Sequence, residues 1–338
     1  MSNIPQEVPT GAIRYNTDSN KMECFNGTQW MQVSVSSPDL NGGARGIAAG
    51  GNPSTNTIDY FTISTAGDAA DFGDLTAASE LGCTGSSNTR ALTCHGTTSL
   101  LNSIDYITIS TTGNAVDFGD RSAIRNISAG GNQTRMLIAG GVTGSNPYTY
   151  YNTVEYVTIA STGDAVNFGD LTKQVSDPIP MSSPIRHVTA GGGLVSSPST
   201  TDIIDFTTIA STGDYQDFGD LSTGGNNGGK ASCSSATRGL VLGGRVEGTT
   251  TDEIQTLQMA TLGDSRTFGD LTQTQRFGAG TSDKIRGIRI GGYITPSNAN
   301  TDTMDYISIS TEGNAVDFGN LTSARRSFQG ASNAHGGL

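Results

Sequence analysis

Apolar positions along this chain come in short runs closed off by glycine, asparagine, aspartate and serine. In SIDYITIS, Ser103 to Ser110, Ile104 and Tyr106 fall on one face of an extended strand, Ile107 and Ile109 on the other. A strand apolar on both faces belongs to a sheet packed between other sheets. Other runs rich in Ile, Val, Thr, Tyr and Phe read as further short strands joined by tight turns. No long segment repeats apolar residues at helical spacing. The pattern predicts an all-β fold.

The runs also keep register with one another. GNAVDFGD, Gly113 to Asp120, returns as GNAVDFGN, Gly313 to Asn320, with GDAADFGD, GDAVNFGD, GDYQDFGD and GDSRTFGD as variants. Their phenylalanines stand at 72, 118, 168, 218, 268 and 318, so the first step is 46 residues and each later one 50. Twelve residues earlier lies an aromatic in five units (Tyr60, Tyr106, Tyr156, Phe206, Tyr306), with Thr256 in the other. Ahead of that strand, Arg45, Arg135, Arg186, Arg238 and Arg286 each lead a run ending in a glycine pair; the run from Arg90 has His95 in place of the first glycine. Each unit reads as four strands: in the third, IRNISAGG, RMLIAGG, TVEYVTIA and AVNFGDL.

Four strands in about 50 residues, an apolar-Gly-Gly strand before an aromatic one, resembles the kelch repeat. The resemblance covers roughly residues 39–338. It lacks the tryptophan that usually ends a kelch unit; the Phe of FGD stands there instead. It implies a six-bladed kelch-like β-propeller of four-stranded blades. The two ends are complementary. The first unit begins at ARGIAAGG with no strand of the SAGGN type before it, and RSFQGASNAH supplies that type after the last. Closure is therefore expected by the C-terminal strand, Phe328 to Asn333, lying beside the strand from Arg45 in the first blade, which removes two open edges.

Residues 1–38 do not fit the repeat. GAIRYNTDSNKMECFNGTQWMQV, Gly11 to Val33, alternates and turns like a small three-stranded β module with Tyr15, Phe25 and Trp30 as apolar anchors. Gly11, Ile13, Arg14, Tyr15, Asn16, Thr17, Asn26, Gly27 and Trp30 resemble a short segment found in tail fibres and other virion proteins of tailed bacteriophages. The TGNAVDFGDL repeats are similar to proteins of marine and cyanobacterial phages. These resemblances imply a virion structural protein made in the host cytoplasm, with the segment as an anchoring or oligomerisation module. The implied partners are other virion proteins through residues 1–38, further copies of the chain, and a host surface glycan or protein. The other reading of the segment is a mini-domain packed on the propeller.

Charge narrows the function classes. The formal net charge is −12 and the isoelectric point near 4.5, which argues against nucleic acid, whose phosphates need a positive footprint. No 18-residue apolar run predicts membrane insertion, and MSNIPQEVPT does not read as a secretory signal. Cys24, Cys83, Cys94 and Cys233 are too scattered for a disulfide framework. A hairpin turning at Asn88 and Thr89 would set Cys83 opposite Cys94, as a packed thiol pair.

Candidate chemistry is sparse. His95, His187 and His335 lack short metal-ligand spacing, and no nucleophile elbow or phosphate loop is present. Paired carboxylates for glycan hydrolysis remain open, but the aspartates sit in repeated turn positions. No enzyme, cofactor or metal is expected. The repeated Arg reads either as an anion-binding ring or as a turn cap or partner of a neighbouring blade's Asp. The Asp/Asn of each repeat reads either as a calcium ligand or as a turn residue bonding local backbone. Tyr148, Tyr150 and Tyr151, in VTGSNPYTYYN, form the candidate binding surface, unless they pack on the next blade. The functional expectation is a tail fibre or tail-associated host-recognition component binding through loops. Alternatives are a head decoration, fibre or tail-ring component with an assembly role only, and a glycan-active propeller enzyme.

Overall fold

The repeated runs become strands in register. The structure, a computed structural model, describes residues 8–17, 21–32, 44–96, 102–145, 147–195, 199–223, 226–227, 231–246 and 248–338. It divides into two units, Met1–Asn41 and Gly42–Leu338.

In the smaller unit, Ile13–Asn16, Lys21–Phe25 and Trp30–Gln32 form a three-stranded antiparallel sheet. Asn26 Oδ1 accepts from the Thr28 and Gln29 amides at 3.0 and 2.9 Å, which shapes the second turn.

In the larger unit, six antiparallel sheets follow one plan of inner, second, third and outer strand. Sheet 2, for example, comprises Cys83–Ser86, Arg90–Cys94, Ser103–Thr108 and Val116–Asp120. Sheet 3 comprises Ser128–Gly131, Arg135–Ala139, Thr153–Thr158 and Val166–Asp170. Sheet 1 is assembled from both ends of the repeat region. Its second, third and outer strands are Arg45–Ala49, Thr57–Thr62 and Ala70–Asp74, and its inner strand is Gln329–Ser332. The register runs from Gln329 opposite Ala49 to Ser332 opposite Gly46. Each inner strand lies against those of the preceding and following sheets, the sixth against the first.

The repeated phrase is the joint between successive sheets. The Gly113 amide donates to the Phe72 carbonyl at 2.8 Å, and Ala115 to Asp74 at 2.7 Å. The Asn114 side chain then accepts the Asp74 amide at 3.1 Å. The same three bonds recur at every joint, including Gly67 to Phe318, Ala69 to Asn320, and Asp68 accepting from Asn320. The Gly after each Phe makes this approach possible: a methyl group on Gly119 would lie 2.6 Å from the Gly163 carbonyl group, and its φ of +149° suits glycine. The Asp/Asn side chains therefore bond the neighbouring sheet's backbone rather than the local turn expected of them.

The repeated arginine serves the same joints. Arg45 Nη1 donates to the Ile109 and Ser110 carbonyls, both at 3.0 Å, while its guanidinium stacks 5.0 Å from the Tyr60 ring centroid. The pattern recurs through Arg90, Arg135, Arg186 and Arg238 to Arg286, whose Nη1 reaches Ile63 and Ser64. Backbone carbonyls of the next sheet, and not the neighbouring Asp, accept these bonds. Sheet 5 explains its own irregularity: with Thr256 in place of the aromatic, Arg238 stacks on Phe268 instead, at 5.7 Å.

Packing between sheets completes the core. Tyr106 meets Phe118 edge-on at 6.0 Å, and Leu92, Ile104 and Phe118 join Ile127, Met136 and Val157 of sheet 3 in one buried cluster.

Candidate functional site

Strand direction sorts the connections into two kinds. The turns leading into each repeated Arg, and the TG(D/N) loops, lie at one end of the strands. The turns are three residues long in sheets 2 to 6, and every loop keeps the Gly followed by Asp or Asn that makes the joints just described. The connections from second to third strand, and from outer strand to the next inner one, lie at the opposite end. There the sheets differ. Sheets 5 and 6 extend into long hairpins, Arg238–Val246 with Thr249–Gln258 and Arg286–Ile294 with Ala299–Ser308. Sheet 3 adds a two-stranded ribbon, Val142–Thr143 with Thr149–Tyr150. Variable loops on a regular frame are where recognition is usually built.

The three tyrosines of that ribbon have different surroundings. Tyr148 is exposed, with Arg125 stacked 5.4 Å from its ring. Tyr150 is half-buried. Tyr151 packs against the sheet 2–sheet 3 core and its hydroxyl meets Thr143 Oγ1 at 3.1 Å. In the N-terminal sheet, Phe25 and Trp30 stack at 5.4 Å with Arg14 over the indole at 4.1 Å. Tyr15 lies on the opposite face with Ile13, Met22 and Met31, all exposed.

Arginines passed over in the sequence reading surround the variable end. Arg125, Arg276 and Arg326 occupy corresponding places just before an inner strand, and each pairs through its backbone with the next sheet's hairpin: Val142, Tyr293 and Asn52. The signal was present as an Arg seven or eight residues after the ruler Phe in three units, absent from the others.

Residues of the inner strands line a cavity of about 100 Å³, among them the small Gly85, Ser128, Ser182, Thr281 and Gly330. The buried Ser128, Ser182 and Thr281 hydroxyls have no hydrogen-bond partner among the described residues, so the cavity suits a few waters. Hydroxyls link the inner strands at the uniform end: Ser86 Oγ to Ser332 O at 2.7 Å, Ser282 Oγ to Ser234 O at 2.8 Å and Ser234 Oγ to Ser182 O at 2.7 Å. Sheet 3 has Gly131 at the serine position, and Gly337 lies against it, while His335 Nε2 meets the Ser86 carbonyl at 2.8 Å.

The remaining titratable groups are structural. His95, where the glycine pair is interrupted, is fully buried with Nε2 2.9 Å from Asp105. Burial pushes the Asp105 carboxyl upward, but His95 and the Thr76 amide and hydroxyl outweigh it and hold it below the ordinary value. The third-strand acid or amide accepts from the preceding sheet's Thr or Ser at every joint, as Thr172 does to Asp205 and Thr322 to Asp59. His187, fully buried, meets the Tyr215 hydroxyl at 2.5 Å, and burial lowers its pKa to about 3. Cys83 lies opposite Cys94, both buried and not joined by a disulfide. Among the described residues no group of three or more His, Cys, Asp or Glu side chains could hold a metal ion, and no helix is long and apolar enough to cross a membrane.

His187 gives a pH prediction. Its folded pKa lies below the usual ~6.5, so the unfolded chain takes the proton first, and stability present above that value is lost as pH falls toward 3. At pH 4.5 the loss from this group is about 2–3 kcal/mol. Urea unfolding at pH 7.5 and 4.5 should show a smaller drop for His187→Gln than for the unsubstituted protein; equal drops would remove the assignment.

No family model matches this chain, and no curated protein matches it in sequence. Among solved structures it is similar to one titled "Structure of YjhT", with a TM-score of 0.62 and 10% sequence identity, over 76% of this chain and 88% of that one. At that identity the likeness is one of fold: the chain has a β-propeller-like all-β fold of four-stranded antiparallel sheets.

Proposed function

We propose that the protein is a non-enzymatic virion structural protein of a tailed bacteriophage, serving as a tail fibre or tail-associated host-recognition component. In this reading the six sheets are the blades of a closed kelch-like propeller, and residues 1–38 attach it to other virion proteins as a homo-oligomer. Support for closure comes from the pairing of Gln329–Ser332 with Arg45–Ala49 and from the joints between sheets 6 and 1. Support for the virion role comes from the resemblance of Gly11 to Trp30 to tail-fibre segments and of the repeats to phage proteins. The observation that carries recognition is the asymmetry of the two ends: uniform turns at one, diversified hairpins with exposed Tyr148 at the other.

The exposed apolar face of the N-terminal sheet, Ile13, Tyr15, Met22 and Met31, favours the second reading, an assembly role alone. Purified protein added to host cells separates the two. Recognition predicts saturable adsorption and loss of phage infectivity with antibodies against the hairpins; assembly alone predicts neither. A chain lacking residues 1–38 should fold but fail to enter particles, and its incorporation would refute the anchor.

A further inference from the structure

Tyr293, on the extended hairpin of sheet 6, is flanked by two guanidinia. Arg276 lies 5.4 Å from its ring centroid and Arg326, arriving from the connector between sheets 6 and 1, lies 4.8 Å away. The Phe277 ring sits 5.0 Å from Arg276 on another side. All four residues are half-buried at the variable end of the strands.

The cluster is held by its framework, and the donors of Arg276 are unused. Arg276 and Tyr293 are paired backbone to backbone, as are Arg326 and Asn52. Asn300, opposite Tyr293 in the hairpin, accepts from Arg326 Nη1 at 3.1 Å and donates to the Asn52 carbonyl at 2.9 Å. The Arg276 guanidinium has no hydrogen-bond or ion-pair partner among the described residues, and its Nε is buried without one. Glu80 is the carboxylate connected to this network; it accepts from Asn52 Nδ2 at 2.7 Å and forms no ion pair with either arginine. Arg276 differs from the repeated arginines and from Arg325. The repeated ones spend their donors on carbonyls between sheets, and Arg325 spends one on Asp59. Two arginines brought together around one aromatic ring, with donors left over, are conspicuous in a chain of net charge −12.

We infer that Arg276, Tyr293 and Arg326 form a binding site for an acidic polysaccharide, the guanidinia taking its carboxylate or sulfate groups while the tyrosine ring they cover holds them side by side. A guanidinium offers paired N–H donors that match such oxyanions. The overall negative charge repels a large acidic protein surface, whereas a slender polymer presents its anions one at a time to the local cluster. The inference rests on the recognition reading above and specifies its ligand class.

Titration of the full chain with polygalacturonate (carboxylate) and dextran sulfate (sulfate), with neutral dextran as control, tests it. At least one acidic polymer should bind, more weakly at high salt, and neutral dextran should not. Arg276→Gln, Arg326→Gln and Tyr293→Ala should each weaken binding about tenfold or more, with unchanged melting temperature for Arg276→Gln. Arg266→Gln, a solvent-exposed outer-strand change, should leave it intact. Equal binding of the neutral polymer, no binding of either acidic one, or no effect of the Arg276 and Arg326 changes would overturn the site. Saturable adsorption to host cells that survives periodate removal of surface glycans would leave the recognition role standing and assign a protein receptor, overturning this inference alone.

Discussion

A chain ending at Phe328 is expected not to fold. Loss of residues 329–338 removes the inner strand of sheet 1 and exposes the edge of Arg45–Ala49. It also takes away the Gly330 and Ser332 carbonyls that accept from Thr84 and Ser86 of sheet 2, and the Asn333 side chain that accepts from the Arg45 amide at 2.8 Å. Sheet 1 would then lack its inner strand, and the inner strands of sheets 2 and 6 would each lack a neighbour. The truncated chain should be insoluble or should elute as aggregate with weakened β circular dichroism. A chain ending at Asn333, which keeps the strand, should stay folded with a modest fall in melting temperature. A monomeric, cooperatively melting product from the shorter chain would mean that the joints around the outer strands suffice without the inner one.

Replacing Arg325 by Leu should be the most costly single substitution of a polar residue. Arg325 is 1% exposed and its Nη2 lies 3.0 Å from the fully buried Asp59 carboxylate and 3.2 Å from the Ala48 carbonyl. Removing one partner of a buried pair leaves an uncompensated charge, at a cost of about 3–5 kcal/mol. For a unit of this size that lowers the melting temperature by roughly 5–8 °C. The Thr322 amide and hydroxyl still reach Asp59, so the fold should persist. Arg325→Gln should cost less, since Gln275 occupies the corresponding place opposite Asp305. Asp59→Asn should recover part of the loss in the Arg325→Leu background, because a neutral amide needs no counter-charge. Equal melting temperatures for Arg325→Leu and the unsubstituted protein would show that the Arg325–Asp59 pair contributes nothing to stability.

Much of the frame was readable because it is local. Strands such as SIDYITIS announce themselves through residues two apart, and turn residues mark their ends. The 50-residue step could be counted, and the missing first strand could be matched to the spare last one by type. Even the facing of Cys83 and Cys94 followed from hairpin arithmetic. The roles of the repeated residues were not readable in the same way. Asn114 accepts from an amide 40 residues earlier, and Arg45 donates to carbonyls 64 and 65 residues later. Nothing near Asn114 or Arg45 in sequence distinguishes a turn cap from a joint between sheets. The three tyrosines looked like one cluster because they are adjacent in sequence; the ribbon turns Tyr151 into the core and Tyr148 outward.

The amino-acid order alone thus determined the all-β class, the repeat and the place of the four strands in each unit, since each depends on spacing within one hairpin, but not the long hairpins of sheets 5 and 6. Tertiary structure decided which aspartates and arginines meet across sheets, and that Arg326 from one connector reaches Tyr293 on another hairpin. Those meetings depend on how rigid sheets stack, and stacking brings together residues whose separation along the chain carries no trace of it.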